Sequence, residues 1–284
     1  AASEASNLAI SVNGVVQTSA NNATTLSYNF SSSTPGQYEV IFSADNGTTI
    51  AADTAQFIIL PSINIAPAPA GTIDGINYIN GSTVRLQLHA PNKDFVFVVG
   101  DFNEWTLDLD YFMNRTPDGQ RYWIEISGLT PNVEYGFQYH IDAEGLRVAD
   151  VYADKILDQW NDPWIEDAIY PNIKPYPYGL TTEPVSVLET NQPAYNWTDQ
   201  NYIRPGKEKI VVYELLMRDF IDESSYDRLI DTLDYIENLG ITAIELMPVN
   251  EFEGNNSWGY NPSFYFAPDK AYGSEESFKD FINE

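Results

Sequence analysis

The order of apolar and polar positions changes character along the chain. From residue 1 to about 65, short β-forming runs alternate with turn signals: 8–12, Asn13-Gly14, 26–30, Pro35-Gly36, 38–43, Asn46-Gly47 and 55–60. Asn-Gly between two such runs favours a two-residue hairpin, because both turn positions tolerate positive φ. Strands recurring roughly every ten residues predict a small Ig-like β-sandwich over 1–65. Residues 61–71, with Pro61, Pro67 and Pro69, read as a stiff linker.

A second β set follows. Val84, Leu86 and Leu88 alternate with polar neighbours, 95–99 is a continuous apolar run, and 122–126 and 134–141 complete the set. Alternation predicts half-buried strands and a continuous run predicts a buried one, so a second sandwich is expected over 66–157. Residues 158–207 contain seven prolines from Pro163 to Pro205. They read as an irregular connector laid across its neighbours.

At 208 the period changes again. Residues 210–215 form a short apolar run. Ser224-Ser225 can cap a helix, Tyr226, Leu229, Ile230, Leu233 and Ile236 recur at helical spacing, and Gly240 stops it. A second apolar run spans 241–247. Strand, helix and strand with short links require parallel pairing. A further helix is expected from Ser274, with Phe278, Phe281 and Ile282 on one face. Segment 208–284 is thus an unfinished α/β domain.

Composition narrows the function. The chain is 43% hydrophobic and 14% aromatic, enough to build cores and to exclude disorder. Its 41 acids against 14 bases leave a net charge of -27, which repels nucleic acid and anionic lipid and tolerates a neutral polysaccharide. The absence of cysteine excludes disulfides and thiolate chemistry. No apolar run has transmembrane length, and no basic segment leading into an apolar one marks an export signal. His89 and His140 lie on expected strands and are read as structural. No metal-ligand cluster, Ser-His-Asp set or phosphate-binding glycine loop emerges.

Two groups of motifs carry a resemblance. Val99-Gly100-Asp101-Phe102-Asn103-Glu104-Trp105, then Arg121-Tyr122-Trp123, Gly128-Leu129, Tyr135-Gly136-Phe137-Gln138-Tyr139 and Asp150, resemble the N-terminal β-module of glycogen branching enzymes and isoamylases. The run from Ile210 to Leu215, the run Leu239-Gly240-Ile241-Thr242-Ala243-Ile244-Glu245-Leu246-Met247-Pro248, and Ser257-Trp258-Gly259-Tyr260-Asn261-Pro262 with Tyr272-Gly273 resemble the opening of the α-amylase-superfamily barrel. The implied fold class is multidomain: two all-β Ig-like sandwiches, the second glycogen-binding-module-like, then the N-terminal part of an α/β (β/α)8 barrel over 208–284.

The resemblance implies retaining cleavage of α-glucosidic bonds in starch, glycogen or malto-oligosaccharides. The catalytic carboxylates would lie beyond residue 284, so none is assigned here, and the fragment alone is expected to be inactive. Tyr260 is implied to stack under the sugar ring beside the cleavage point, with Trp258 lining the same cleft. Trp105 and Trp123 are candidates for glycan stacking by the module. Gln138 and Leu146 stand where binding modules of this kind carry a lysine and a second stacking tryptophan. Glu245 and Glu251 receive no catalytic role. Calcium is a cofactor implied by family resemblance alone, with no ligands identifiable. The expected partners are an α-glucan and, as a second chain, the C-terminal remainder of the same enzyme. The appended β-module favours hydrolysis and an extracellular, periplasmic or cell-surface location. A non-catalytic glucan-binding protein and a branching enzyme are the alternatives.

Overall fold

The computed structural model describes residues 2–142, 144–198 and 202–284. They form two compact units, one running up to Asn64 together with Leu107–Asp110, the other comprising Ile65–Thr106 and Tyr111–Glu284. No helix of the described residues is long and apolar enough to cross a membrane.

The first unit is one antiparallel sheet in the order β2-β1-β3-β4, from β1 (Ser6–Val12), β2 (Val15–Ala23), β3 (Gly36–Asp45) and β4 (Ile50–Ile59). Alternation along β1 buries Leu8, Ile10 and Val12, and Ile10 and Val12 meet Val40 of β3. A sandwich over 1–65 was expected, and here the described residues make a single sheet. The cause lies at 26–30. This run makes no ladder, and Leu26 and Phe30 cover the sheet as side chains only. Phe30, Tyr38 and Phe57 close over that face as an aromatic cluster.

The second unit begins with an all-β module of two antiparallel sheets. One has the order β5-β6-β9-β8, from β5 (Gly75–Asn80), β6 (Thr83–His89), β8 (Asn114–Arg115) and β9 (Arg121–Ser127). The other is centred on β10 (Glu134–Ile141), which pairs with β7 (Val96–Gly100), β11 (Leu146–Val148) and β13 (Val185–Glu189); β12 (Ile156–Leu157) pairs with β13. Val84 and Leu86 of β6, residues 96–99 of β7, and Phe137 and Tyr139 of β10 are buried. Strand β13 departs from the irregular connector expected over 158–207. Its Val185, Ser186, Val187 and Leu188 are all buried, a run long enough to complete the sheet despite flanking prolines.

Beyond the connector, β14 (Val212–Leu215) and β15 (Ala243–Leu246) pair in parallel from Val212↔Ala243 to Leu215↔Leu246. Between them lie α1 (Met217–Phe220), α2 (Tyr226–Ile230) and α3 (Leu233–Asn238). The single helix expected from Ser225 is broken at Asp231-Thr232, yet its apolar spacing survives: Tyr226, Leu229 and Ile236 enter a core with Leu215, Met217, Phe252 and Tyr272. Ser225 Oγ accepts from the Arg228 amide, and Gly240 leaves the last turn at φ 83. A hairpin, β16 (Asn250–Phe252) and β17 (Pro262–Pro268), precedes α4 (Glu275–Asn283), capped by Ser274. Phe278 and Phe281 of α4 pack on the core, whereas Ile282 faces outward.

Candidate functional site

The chain leaves β15 at its carboxyl end, turns through Pro248 and enters the β16–β17 hairpin, whose tip is 253–261. Gly259 sits at φ +84, and a Cβ there would fall 2.0 Å from the Pro248 carbonyl oxygen. Only glycine fits that turn without moving backbone. The Ser257 hydroxyl contacts Asn261 Oδ1 and accepts from the Gly259 amide at 3.0 Å. Asn255 Nδ2 donates to the Asn161 carbonyl at 2.7 Å, and Arg218 donates to Asn256 Oδ1. The tip is therefore pinned at several points, and the two rings flanking Gly259 point out. Trp258 is 61% exposed and Tyr260 is 65% exposed. A flat ring held in water offers a face for the apolar C–H side of a sugar.

The base of the hairpin is charged and buried. Lys270 Nζ lies 2.5 Å from Glu251 Oε1 and 3.2 Å from Asp162 Oδ1. Asp269, beside Lys270, accepts from the Phe252 amide at 3.0 Å and the Ala271 amide at 2.8 Å. All four side chains are buried. Burial pushes Glu251 up to about 8 against the pull of Lys270, and pushes Asp269 up to about 6. Asp162 is raised by burial as well. Burial also works against the charge of Lys270, but Glu251 and Asp162 outweigh it and hold the ammonium above the ordinary lysine range. Glu251 and Asp162 flank the ammonium and Asp269 stands on two backbone amides, and burial raises the proton affinity of all three carboxyls.

These acids do not fit calcium. The cation's place among them is taken by the Lys270 ammonium, and among the described residues no group of three or more His, Cys, Asp or Glu side chains is arranged to hold a metal ion. Glu245 is exposed on β15 beside Glu214 of β14. Glu251 belongs to the buried base and does not face Glu245's solvent.

In the module, the Gly100–Trp105 run is a structural turn. A Cβ on Gly100 would lie 2.4 Å from the Gly136 carbonyl oxygen. Asn103 is buried, accepts from the Gly100 amide at 2.8 Å and donates to Val98 O at 2.9 Å. Trp105 is 4% exposed, and its indole N–H donates to Asp101 Oδ1 at 3.0 Å. A ring so enclosed presents no face to a sugar. Trp123 is half-buried, its indole N–H donating to the Ala66 carbonyl at 2.9 Å. Gln138 is wholly buried and donates to the carbonyls of Thr182 and Pro184, each at 2.8 Å, while Leu146 is exposed. His140 is half-buried, its proton disfavoured by burial and by Arg147, and His89 is exposed.

The sequence reading missed the exposed rings of the connector. Trp160, Trp164 and Tyr178 all project into solvent. Asp158 Oδ1 accepts from the Trp160 and Asn161 amides, at 2.7 and 2.8 Å, which turns Trp160 outward. An Asp followed two residues on by an outward tryptophan was the available signal.

No family profile matches the chain. The 1,4-alpha-glucan branching enzyme GlgB of Bacillus cereus is 30% identical over 213 residues, covering 71% of this chain and 30% of the enzyme. The malto-oligosyltrehalose trehalohydrolase of Saccharolobus solfataricus is 35% identical over 96 residues, covering 34% of this chain and 17% of the enzyme. The pullulanase of Anoxybacillus sp. LM18-11, solved with maltotriose, matches 99% of this chain and 43% of its own with a TM-score of 0.52 and 16% identity, a likeness of fold alone. The chain spans less than a third of the length of the curated relatives it matches. The chain belongs to the α-amylase superfamily, with α-glucan branching enzymes among the relatives it matches.

Proposed function

We propose that this chain is the N-terminal portion of an α-glucan-active glycoside hydrolase, and that β14 and β15 are the first two strands of its (β/α)8 barrel. The observation that carries the reading is the pair Trp258 and Tyr260, exposed on a pinned loop beyond the carboxyl end of a parallel strand. That end is where barrel enzymes gather their sites. Relatives that act on 1,4-α-glucan and a fold neighbour holding maltotriose support an α-glucan as the substrate class. The net charge of -27 suits a neutral polymer.

On this reading Tyr260 stacks under the ring that is distorted during cleavage, and Trp258 borders the same cleft. Stacking that strengthens as the ring flattens raises turnover more than affinity. The retaining chemistry of the superfamily needs two carboxylates flanking the bond, and no residue of this chain takes either role. The remainder of the enzyme, which supplies them, is the proposed partner of β14 and β15. Burial of Trp105 weighs against the rival reading, a stand-alone glucan-binding module working through that ring.

Saturation-transfer NMR of the chain with maltoheptaose tests the reading. Transfer lost in Tyr260→Ala and weakened in Trp258→Ala is expected, with no reducing sugar released. Unchanged transfer in both variants overturns it. Loss in Trp123→Ala instead would favour the binding module.

A further inference from the structure

Four charged side chains meet under the hairpin, where a neutral core would be less costly. They come from three places in the sequence. Asp162 belongs to the connector, Glu251 to β16, and Asp269 and Lys270 follow directly on β17. The two ends of the hairpin are thereby tied to each other through Glu251 and Lys270, and both to the connector through Asp162. Apolar contacts flank this point on either side. Ala267 of β17 packs on Ala149, Ala153 and Ile156 of the module, and Phe252 of β16 packs in the core of the α/β segment. The hairpin thus spans two cores, and the charged cluster sits at the junction.

Energetics favour a role in orientation over one in stability. Desolvating an ammonium and its carboxylates offsets much of their attraction, and well-packed apolar residues commonly do as well or better. Here the pairing is also incomplete, since among the described residues neither Glu251 Oε2 nor Asp162 Oδ1 has a hydrogen-bond partner. What charges provide and apolar groups do not is direction. An ammonium between two carboxylates fixes which groups face one another, whereas apolar surfaces slide. A hairpin whose ladder already shifts register twice, between Asn250 and Glu251 and between Glu251 and Phe252, needs that direction from elsewhere.

We propose that Lys270 is a positioning residue: its buried ammonium, joining Glu251 of β16 to Asp162 of the connector, sets the orientation of loop 253–261 and so of Trp258 and Tyr260. The ammonium supplies the charge that a bound cation would supply to Glu251 and Asp162. The loop's order is therefore independent of added metal. The relevance to glucan rests on the function proposed above; the positioning of the loop does not.

Hydrogen exchange by peptide, on the 284-residue chain, separates the two. In Lys270→Met, loop 253–261 is expected to exchange at least roughly tenfold faster while β6 and β9 keep their protection. The triple variant Asp162→Asn/Glu251→Gln/Lys270→Met, which removes the ion-paired charges and leaves Asp269 on its two amide donors, is expected to regain the unfolding midpoint without regaining loop protection. Glu251→Gln, a one-atom change that keeps the acceptor for Lys270, serves if Lys270→Met does not fold, and a measurable gain in loop exchange is expected from it. Unchanged loop exchange in the folded variants overturns the proposal. Recovery of both midpoint and loop protection in the triple variant overturns it too, since the cluster would then act on stability alone. Loosening of the unmodified loop by EDTA would transfer the role from Lys270 to a metal ion. Saturation transfer from maltoheptaose in the unmodified chain reads the other premise: its absence sinks the glucan reading and leaves the exchange result to judge Lys270.

Discussion

Strands β7 and β14 are both short apolar runs, and they end in opposite environments. Residues 96–99 of β7 are wholly buried, with β10 alongside and the module's cores over both faces. In β14 and the residues before it, Ile210, Val211 and Val212 are exposed, whereas Leu215 is buried in the core and Tyr213 packs against it partly buried. The helices of the α/β segment cover one side of the parallel pair through Tyr226, Leu229 and Ile236. A parallel sheet is stable when both faces are covered. The module meets its own burial requirement, whereas the α/β segment leaves apolar strand surface exposed.

The largest test of this comparison is a pair of truncations. Phe137→Ala, in the closed core of the module, is expected to cost about 3–5 kcal/mol of unfolding free energy. Val212→Ala, on a side chain already half in water, is expected to change it by no more than about 0.5 kcal/mol. Urea unfolding followed by far-ultraviolet circular dichroism measures both. Equal costs would mean that the two strands are buried alike, and the contrast would fail.

The same contrast explains what could be read from the sequence. The Gly100–Trp105 run was legible because each residue type answers a steric or hydrogen-bonding demand of one turn: Gly100 against Gly136, and Asn103 between two backbone groups. Ser225 was legible as a cap for the same reason, and Ser274 was legible as the start of a helix. Strand β13 was hidden because four buried residues between Pro184 and Pro193 look like a connector until β10 and β12 are seen on either side. The run at 26–30 failed in the other direction, having β-forming residues but no ladder partner. The base of the hairpin was hidden most completely. An isolated Lys270 reads as a surface residue and Glu251 as a loop acid, because a partner 108 positions away, Asp162, leaves no local pattern.

A smaller effect distinguishes the buried charges of the hairpin from the apolar core of the module. Glu251 and Asp269 have folded-state values raised by burial, so the folded chain holds protons that the unfolded chain has released. Their contribution is complete below the ordinary carboxylate range and is lost as pH rises, to about 6 for Asp269 and about 8 for Glu251. Asp150, Asp154 and Asp162, also raised by burial, act in the same direction. His140 acts oppositely, at and below its ordinary range near 6.5. The informative window is therefore about pH 6.5 to 8. Unfolding free energy should fall across it, by at most about 1.4 kcal/mol per pH unit for each proton. Glu251→Gln should flatten the fall and Phe137→Ala should leave its slope unchanged. A slope that survives Glu251→Gln would place the proton elsewhere.

Tyr260→Ala is expected to affect stability as little as Val212→Ala does, and that smallness is the point. A buried tyrosine such as Tyr122 or Tyr139 packs in the module core, and removing it opens a cavity. Tyr260 has no such surroundings: its ring stands in water, and the turn that presents it is fixed by Gly259 and by the Ser257 hydroxyl contacts with Asn261 and the Gly259 amide. Truncation at Cβ leaves each of those contacts in place. The unfolding midpoint should correspond to a change of no more than about 0.5 kcal/mol, and the exchange of loop 253–261 should match that of the unmodified chain. Transfer from maltoheptaose should nevertheless disappear. On the proposed function, turnover in the longer enzyme should fall more than affinity, because the ring would act where the sugar is distorted. A stability loss as large as that of Phe137→Ala would show that Tyr260 packs as core. A turnover unchanged at saturating maltoheptaose, with loop exchange also unchanged, would remove Tyr260 from the site while leaving the loop where the structure puts it.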